Sequence, residues 1–103
     1  MTETVASPHG IPIRLTDERW THITEEHSEL AGMRFEILET VAQPNRIFRG
    51  LKGELFAVRE IETNKYLIVI YRETISDGFI ITAFLTRRIR SMERRDLIWS
   101  AQK

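Results

Sequence analysis

The feature that most constrains this chain is a change of hydrophobic period near residue 46. Three segments, ELFAVREI (54–61), KYLIVIYRE (65–73) and DGFIITAFL (77–85), are rich in the branched and aromatic residues that favour strands. The links between them, ETN and TISDG, are short enough to be hairpin turns. This pattern predicts an antiparallel meander, with an additional short strand at RIFRG (46–50) leading into it.

Helical spacing lies on either side of the meander. Thr16 is a candidate N-cap for a helix over 17–27, with Asp17 and Glu18 in its first turn. A second helix carries an apolar face and must end before Pro44. Ser91 is a candidate cap for a last helix of about ten residues. Its apolar positions would be Met92, Leu97, Ile98 and Trp99.

The predicted fold is therefore α+β, with two N-terminal helices packed on a three- or four-stranded antiparallel sheet and a C-terminal helix after it. At 103 residues the chain is the size of one domain. The prediction assigns residues 13–103 to that domain. Residues 1–12 hold two of the three prolines and are predicted to be an irregular lead-in.

Composition excludes several function classes. The chain has no cysteine, which rules out disulfides, thiol catalysis and cysteine-ligated zinc. The N-terminal residues do not have the pattern of a secretory signal, and the apolar runs are too short to span a bilayer. We therefore expect a cytoplasmic protein with no membrane association.

The net charge of zero hides an uneven distribution. Residues 1–43 carry three basic and eight acidic side chains, whereas the last eighteen residues carry six basic and two acidic ones. Such a tail either attracts phosphates or pairs with the acidic half of the same molecule.

Two of the three histidines, His22 and His27, lie five positions apart in WTHITEEHSEL (20–30). That spacing separates them by roughly 140° around a helix, which disfavours a shared metal ion. No cysteine or evident third ligand accompanies them. The alternatives are acid–base chemistry, for which histidine is suited near neutral pH, and a surface role.

Two further polar residues stand out in the predicted strands. If Ile61 pairs with Tyr66, then Arg59 lies opposite Ile68 on an apolar strand face, where its charge calls for an anion. The alternative is a surface ion pair with Glu60 or Glu62. Thr82 is the hydroxyl within FIITAFL, a position where threonine often serves only as a strand former.

Four stretches together resemble the metal-independent nucleases of the barnase–EndoU–colicin–RelE (BECR) superfamily. They are WTHITEEH, LETVAQPNRI, YLIVIYRE…DGFIITAFLTRR and MERRDLIW, and the resemblance extends over roughly residues 13–99, with these stretches in order. The nearest similarity is to BrnT-type toxins and related phage-encoded nucleases. One departure is Phe84, which stands where BrnT-like chains place an arginine after the Ser/Thr-Ala dipeptide, here Thr82-Ala83.

The resemblance implies RNA cleavage without metal or cofactor, in which the ribose 2′-hydroxyl attacks phosphorus and leaves a 2′,3′-cyclic phosphate. It assigns proton transfer to His22 or His27, phosphate stabilisation to Arg59 with Arg72 as substitute, and phosphate orientation to Thr82. The basic residues expected to hold RNA are Arg72, Arg87, Arg88 and Arg90.

Partners and alternatives follow from the same resemblance. BrnT-like toxins are encoded beside a protein inhibitor, so we expect RNA and an acidic antitoxin as partners, the latter meeting Arg87, Arg88 and Arg90. Phe84 at the family's arginine position favours the alternative of a non-catalytic module with this fold that binds protein or RNA.

Overall fold

The computed structural model describes residues 1–101, and over this range it contains seven strands, three α-helices and one 3₁₀ turn. In chain order these are β1 (Thr2–Ala6), β2 (Pro12–Thr16), α1 (Asp17–Glu26), the 3₁₀ turn (Ser28–Leu30), α2 (Arg34–Ala42), β3 (Arg46–Arg49), β4 (Leu55–Glu62), β5 (Lys65–Glu73), β6 (Gly78–Thr86), α3 (Arg90–Glu93) and β7 (Asp96–Ser100).

The strands form one sheet in the order β1-β2-β6-β5-β4-β3-β7. All neighbours are antiparallel except β2 and β6, which run parallel over two pairs, Ile13 with Gly78 and Arg14 with Phe79. The parallel contact is short because the chain leaves β2 and enters α1 at Asp17. Beyond Phe79, α1 and the 3₁₀ turn pack along β6 instead of a strand.

Helices α1 and α2 cover one side of the sheet, which we call the helical face. Thr16 caps α1, since its Oγ1 accepts a hydrogen bond from the Arg19 N–H at 3.0 Å. The core between helices and sheet contains the largest fully buried side chains, which include Ile13, Leu15, Ile23, Leu30, Ile37, Leu67, Tyr71 and Ile80.

The opposite side of the sheet, which we call the α3 face, has a smaller apolar cluster. Phe48, Phe56, Val58 and Ile68 lie on it, and Met92 of α3 covers them. The strands of the meander are therefore buried on both sides, which explains why YLIVIY is apolar on both of its faces.

The predicted C-terminal helix is wrong. Only Arg90–Glu93 is helical, and Asp96–Ser100 forms β7 along the outer side of β3. The apolar residues read as a helix face belong to an edge strand, in which Trp99 pairs with Ile47 and Leu97 with Phe48. This pairing satisfies backbone groups of β3 that a helix would have left open.

The predicted three- or four-stranded sheet and the irregular lead-in are corrected as well. Residues 2–6 form β1 and pair with β2 through a tight turn, where Gly10 has φ +82° and its N–H bonds to the Ser7 carbonyl at 2.8 Å. Pro12 is tolerated because it stands at the first position of its strand. With β1, β2 and β7 the sheet has seven strands, in a mixed α+β fold.

The predicted register of the first meander hairpin is off by one residue. Tyr66 pairs with Glu60 rather than Ile61, and Arg59 lies opposite Leu67, because a bulge lies between Glu60 and Glu62. Within residues 1–101, no helix has the length and apolar character needed to cross a membrane.

Candidate functional site

His27 lies where α1 ends, between that helix and the 3₁₀ turn. Its Nδ1 is 3.5 Å from the Glu29 carboxylate, and its ring centroid is 6.3 Å from that of Phe84. Phe84 pairs with Ile68, which belongs to the α3 face. His27 therefore lies beside the β6 edge of that face, and Nε2 is the ring nitrogen left for proton exchange.

His22 occupies a different setting. It is exposed on α1 and lines a shallow groove of 230 Å³ with Thr16, Glu18 and Arg19. Nothing in the described part of the chain joins its imidazole to His27 through a hydrogen bond or ring contact. The two histidines do not form a pair.

Arg59 lies on the helical face. Its guanidinium donates to the Gln43 carbonyl at the C-terminal end of α2 and is 3.9 Å from the Glu39 carboxylate. A cation at this position satisfies a carbonyl left open by the helix end. The alternative of an ion pair describes Arg59 better than a phosphate site does, although the partner is Glu39 and not Glu60 or Glu62.

Thr82 lies on the opposite face from Arg59. Thr82 pairs with Ile70, and Arg59 pairs with Leu67, three residues from Ile70 on the same strand and hence on the other side of the sheet. The Thr82 hydroxyl is buried and has no hydrogen-bond partner. The predicted convergence of His22, His27, Arg59 and Thr82 in one cleft is therefore not what the structure shows.

The remaining predicted RNA-binding residues differ in their contacts. Arg72 reaches from β5 to the hairpin between β3 and β4, where its guanidinium donates to the Lys52 carbonyl at 2.9 Å. Arg87 approaches the Asn64 carbonyl at 3.5 Å, and the Arg88 backbone bonds to the Thr86 hydroxyl. Arg88, which precedes α3, and Arg90, its first residue, are both exposed.

Three arginines line a groove of 290 Å³ between the β3–β4 turn and α3, which we call the arginine groove. It is lined by Arg49, Gly50, Leu51, Ser91, Arg94, Arg95 and Asp96. Within residues 1–101, none of its three guanidinium groups is at ion-pair distance from a carboxylate. Arg95 lies over the Phe56 ring, with Cζ 4.5 Å from the centroid.

Glu54 lies near Arg72 and near Arg95 of the arginine groove. Backbone N–H groups of Glu54 itself and of Lys52 bond to its carboxylate, and the charges of Arg72 and Arg95 add to their effect. Together they hold the pKa of Glu54 below its usual range. This carboxylate is one acidic group among several cations, so the surroundings of the groove remain positive.

A second groove, of 420 Å³, which we call the Glu60 groove, lies at the Arg46 end of β3, whereas the arginine groove lies at the Arg49 end. It is lined by Asn45, Arg46, Val58, Glu60, Tyr66, Ser100 and Ala101. Arg46 bonds to Glu93 of α3 at 3.0 Å and lies over the Phe48 ring. Glu93 therefore connects α3 to the wall of this groove.

The two sides of the sheet carry opposite charge. Residues 17–42, which form the helical layer, hold seven acidic and two basic side chains. Residues 87–96, which cover the α3 face, hold five basic and two acidic ones. The asymmetry seen along the sequence thus becomes an asymmetry between two surfaces, and the basic tail does not fold onto the acidic helices.

The sequence indicated only part of the arginine groove. Arg94 and Arg95 belong to the ERR (93–95) that the resemblance placed on a basic helix, but Arg49 had no such signal. A basic residue at each end of a short strand, as in RIFR, is the pattern that could have indicated it.

No group of three or more histidine, aspartate and glutamate side chains within residues 1–101 is arranged to hold a metal ion. Comparisons of the chain with protein-family models, with curated proteins and with solved structures gave no significant match. The BECR resemblance therefore stays a prediction from the sequence.

Proposed function

We propose that this protein binds RNA across the α3 face and cleaves it as a metal-independent endoribonuclease. The observation that carries the proposal is the arginine groove, which is lined by three arginines, none of them at ion-pair distance from a carboxylate in the described chain. Unpaired arginines held close together repel one another and are stabilised by anions, above all by phosphates, which match the guanidinium fork.

The surroundings of the groove favour a polyanion over a small anion. Arg72 of β5 and Lys52 of the β3–β4 turn add positive charge beside the groove, whereas Arg46 is ion-paired with Glu93. Arg46 lies on the α3 face, since it pairs with Val58, whereas Arg49 starts on the other side of β3 and lines the groove from the end of the strand. The exposed ring of Phe79 beside Arg14 supplies a surface on which a base can stack.

Cleavage would proceed by attack of the ribose 2′-hydroxyl on phosphorus, which needs a proton acceptor, a proton donor and cations near the phosphoryl oxygens. His27 is the candidate for proton transfer, because it borders the α3 face and Glu29 engages its Nδ1. Arg72 and the arginine groove are candidates for charge stabilisation. Arg59 has no part in this assignment.

The predicted role of Thr82 in orienting a phosphate also changes. Its hydroxyl is covered by neighbouring atoms, so it does not reach a phosphate in this conformation. We therefore regard Thr82 as a buried residue of β6 without a role in the reaction.

The deciding experiment incubates the purified protein with total RNA in EDTA and analyses the termini of any fragments. We expect cleavage with 2′,3′-cyclic phosphate ends, reduced at least about a hundredfold in His27→Ala, the range typical of a lost general acid or base. His22→Ala is the matched control and should keep activity. Equal activity of both variants would remove His27 from the mechanism.

Binding is tested separately with a labelled single-stranded RNA. Arg94→Glu with Arg95→Glu should weaken binding and lower the salt slope by about 1.4, since each lost phosphate contact contributes about 0.7. Arg19→Glu with Lys65→Glu is the control, because it reverses the same number of charges outside the groove. Equal losses in both proteins would mean that the effect is one of net charge alone.

A second candidate is a non-catalytic RNA-binding module. The observation that favours it is the dispersal of the four predicted catalytic residues over both faces of the sheet. RNA binding that depends on Arg94 and Arg95, without any cleavage in EDTA, would support this module over the nuclease.

A further inference from the structure

Strand β1 has an open backbone edge. It is the outermost strand of the sheet, and within residues 1–101 it pairs only with β2. The Ser7 N–H donates to the Ile11 carbonyl at 2.9 Å, and hydrogen-bonded pairs alternate along an antiparallel ladder, so Glu3 and Val5 also bond to β2. The N–H and C=O groups that point away from β2 are those of the alternate residues, Thr2, Thr4 and Ala6.

This edge lacks the features by which proteins usually keep an outer strand from pairing with another chain. Strand β1 contains no proline or lysine, and its register with β2 is regular throughout. Its one charged side chain, Glu3, is ion-paired with Arg34 of α2 and so does not guard the edge. The strand is therefore open to strand addition, in which an extended segment of another chain forms hydrogen bonds with the edge.

A groove of 450 Å³ lies between this edge and α2, and we call it the β1 groove. Its apolar lining comes from Val5 and from one stripe of α2, in which Phe35, Leu38 and Ala42 recur at helical spacing. The Phe35 side chain is 68 % exposed, although it is large and aromatic. An exposed aromatic ring beside an open strand edge is typical of a surface that binds another protein.

The charges around the β1 groove favour a basic occupant. Glu3 and Glu39 line it, and Glu39 is 3.9 Å from Arg59, whose guanidinium also donates to the Gln43 carbonyl. The helical layer that forms this side of the molecule, residues 17–42, carries seven acidic and two basic side chains. A second copy of this chain would bring another Glu3 and another Glu39 to the same edge, so like charges would oppose a dimer formed through β1.

We propose that the β1 edge and the β1 groove bind an extended segment of a partner protein that presents apolar and basic residues on one face. The backbone of the segment pairs with the open N–H and C=O groups of β1 and becomes an additional strand of the sheet. Alternate side chains of an added strand face the same side, so those opposite Glu3 and Val5 point toward α2. Apolar ones contact Phe35, and basic ones approach Glu39.

This interaction goes beyond the proposed RNA binding and does not depend on it. The β1 groove lies at one edge of the sheet, whereas the arginine groove lies beside β3 and β7 at the other. A partner bound at β1 therefore leaves the arginine groove open, and one molecule can hold the partner and RNA at the same time.

The test titrates the full-length protein with two short synthetic peptides and measures each affinity calorimetrically. Threonine occupies every even position of both peptides, and the odd positions alternate valine with lysine in one peptide and valine with glutamate in the other. We expect the lysine peptide to bind at least about tenfold more tightly than the glutamate peptide, because the carboxylates of the groove attract one and repel the other. The difference should shrink at high salt.

Two pairs of variants test the edge and the groove. Thr4→Pro removes an N–H that points to the open edge and that the pairing with β2 does not use, so it should abolish binding of the lysine peptide and keep the fold. Thr4→Val keeps that N–H and a branched side chain, and it should bind normally. Phe35→Ser should weaken binding by about tenfold or more. Ile75→Ser, which removes another exposed apolar side chain, is its control.

Backbone amide shifts recorded in the same titrations locate the peptide. Perturbations at Thr4, Val5 and Phe35 support the proposal, and perturbations confined to the α3 face overturn it. Equal affinity for the two peptides, no binding of the lysine peptide, or full affinity in both Thr4→Pro and Phe35→Ser also overturns it. A concentration-dependent dimer in light scattering that Thr4→Pro abolishes would overturn it as well, because a second copy would then occupy the edge.

Discussion

Tyr71 allows a test of whether a polar group buried in the core lacks a hydrogen-bond partner. Its side chain is completely buried on the helical face, and its hydroxyl has no hydrogen-bond partner within residues 1–101. Burial is the main cause that raises the pKa of Tyr71, and the charge of Glu73 adds to it. The phenol is thus kept neutral in a place where it gains no hydrogen bond.

We expect Tyr71→Phe to stabilise the protein. A buried hydroxyl without a partner costs about 1–3 kcal/mol, and phenylalanine keeps the ring and its packing. For a chain of this size each 1 kcal/mol corresponds to about 4–8 °C in melting temperature. The variant should therefore melt about 4 °C or more above the parent protein.

The direction of the pH dependence follows from the raised pKa of Tyr71. The folded state favours the protonated phenol, so stability from this group is complete below the unfolded pKa of 10.0 and is lost as the pH rises above it. Tyr71→Phe should remove that part of the alkaline loss.

The measurement is urea unfolding from neutral to alkaline pH, with Tyr66→Phe as the control. Tyr66 is only partly buried and should shift stability by less than about 0.5 kcal/mol. A loss of about 1 kcal/mol in Tyr71→Phe would refute the reasoning, because it would mean that the hydroxyl forms a hydrogen bond in solution.

Three further predictions concern a helix cap, an acidic turn and the basic tail. Thr16→Ala should lower the free energy of unfolding by about 1 kcal/mol in urea, because it removes the cap of α1; Thr63→Ala, in an exposed turn, should not. Hydrogen bonds from Arg14 and then Thr74 lower the pKa of Asp77, so its stabilisation is present at neutral pH and lost as the pH falls below its usual 3.8. Asp77→Asn should flatten acid unfolding over that range, and an unchanged profile would contradict the pairing. Replacing Arg87, Arg88 and Arg90 with glutamate should weaken binding both to RNA and to an acidic antitoxin, most at low salt; unchanged affinities in binding titrations would exclude these residues from both contacts.

The parts of the fold that the sequence predicted are those with a strong local period. The helices at Asp17–Glu26 and Arg34–Ala42 and the three meander strands each have a repeating apolar pattern and a clear boundary such as Pro44. These signals depend on residues close together in the chain. The predicted architecture was wrong where the local hydrophobic pattern was weak.

Strands β1 and β7 show why a weak local pattern led to wrong predictions. LIW has three consecutive apolar residues, which fits a helix face or a strand equally well, and only the open edge of β3 decides between them. TETVA is short and exposed, and it becomes a strand because β2 offers an edge next to it. Long-range pairing determined both elements, and no local pattern contains that information.

The prediction of a single site was wrong for a related reason. The prediction grouped His22, His27, Arg59 and Thr82 by residue type and resemblance, but the side of the sheet that each one faces depends on register. A bulge between Glu60 and Glu62 shifts the pairing by one residue from that expected, so that Arg59 lies opposite Leu67 and its guanidinium meets the end of α2. Arg72 faces the other side, since it lies two residues from Ile70, which pairs with Thr82.

The corrected C-terminal strand also explains how the arginine groove is held. Asp96 pairs with Arg49 at the end of β3, so the residues just before it, Arg94 and Arg95, are brought beside Arg49 by strand register. A helix through the same residues would have spread their side chains around its axis. Because the like charges are gathered by backbone pairing, the strand pair itself must oppose their repulsion. An anion bound in the groove would relieve that repulsion, so phosphate binding and the ordering of β7 against β3 should reinforce each other.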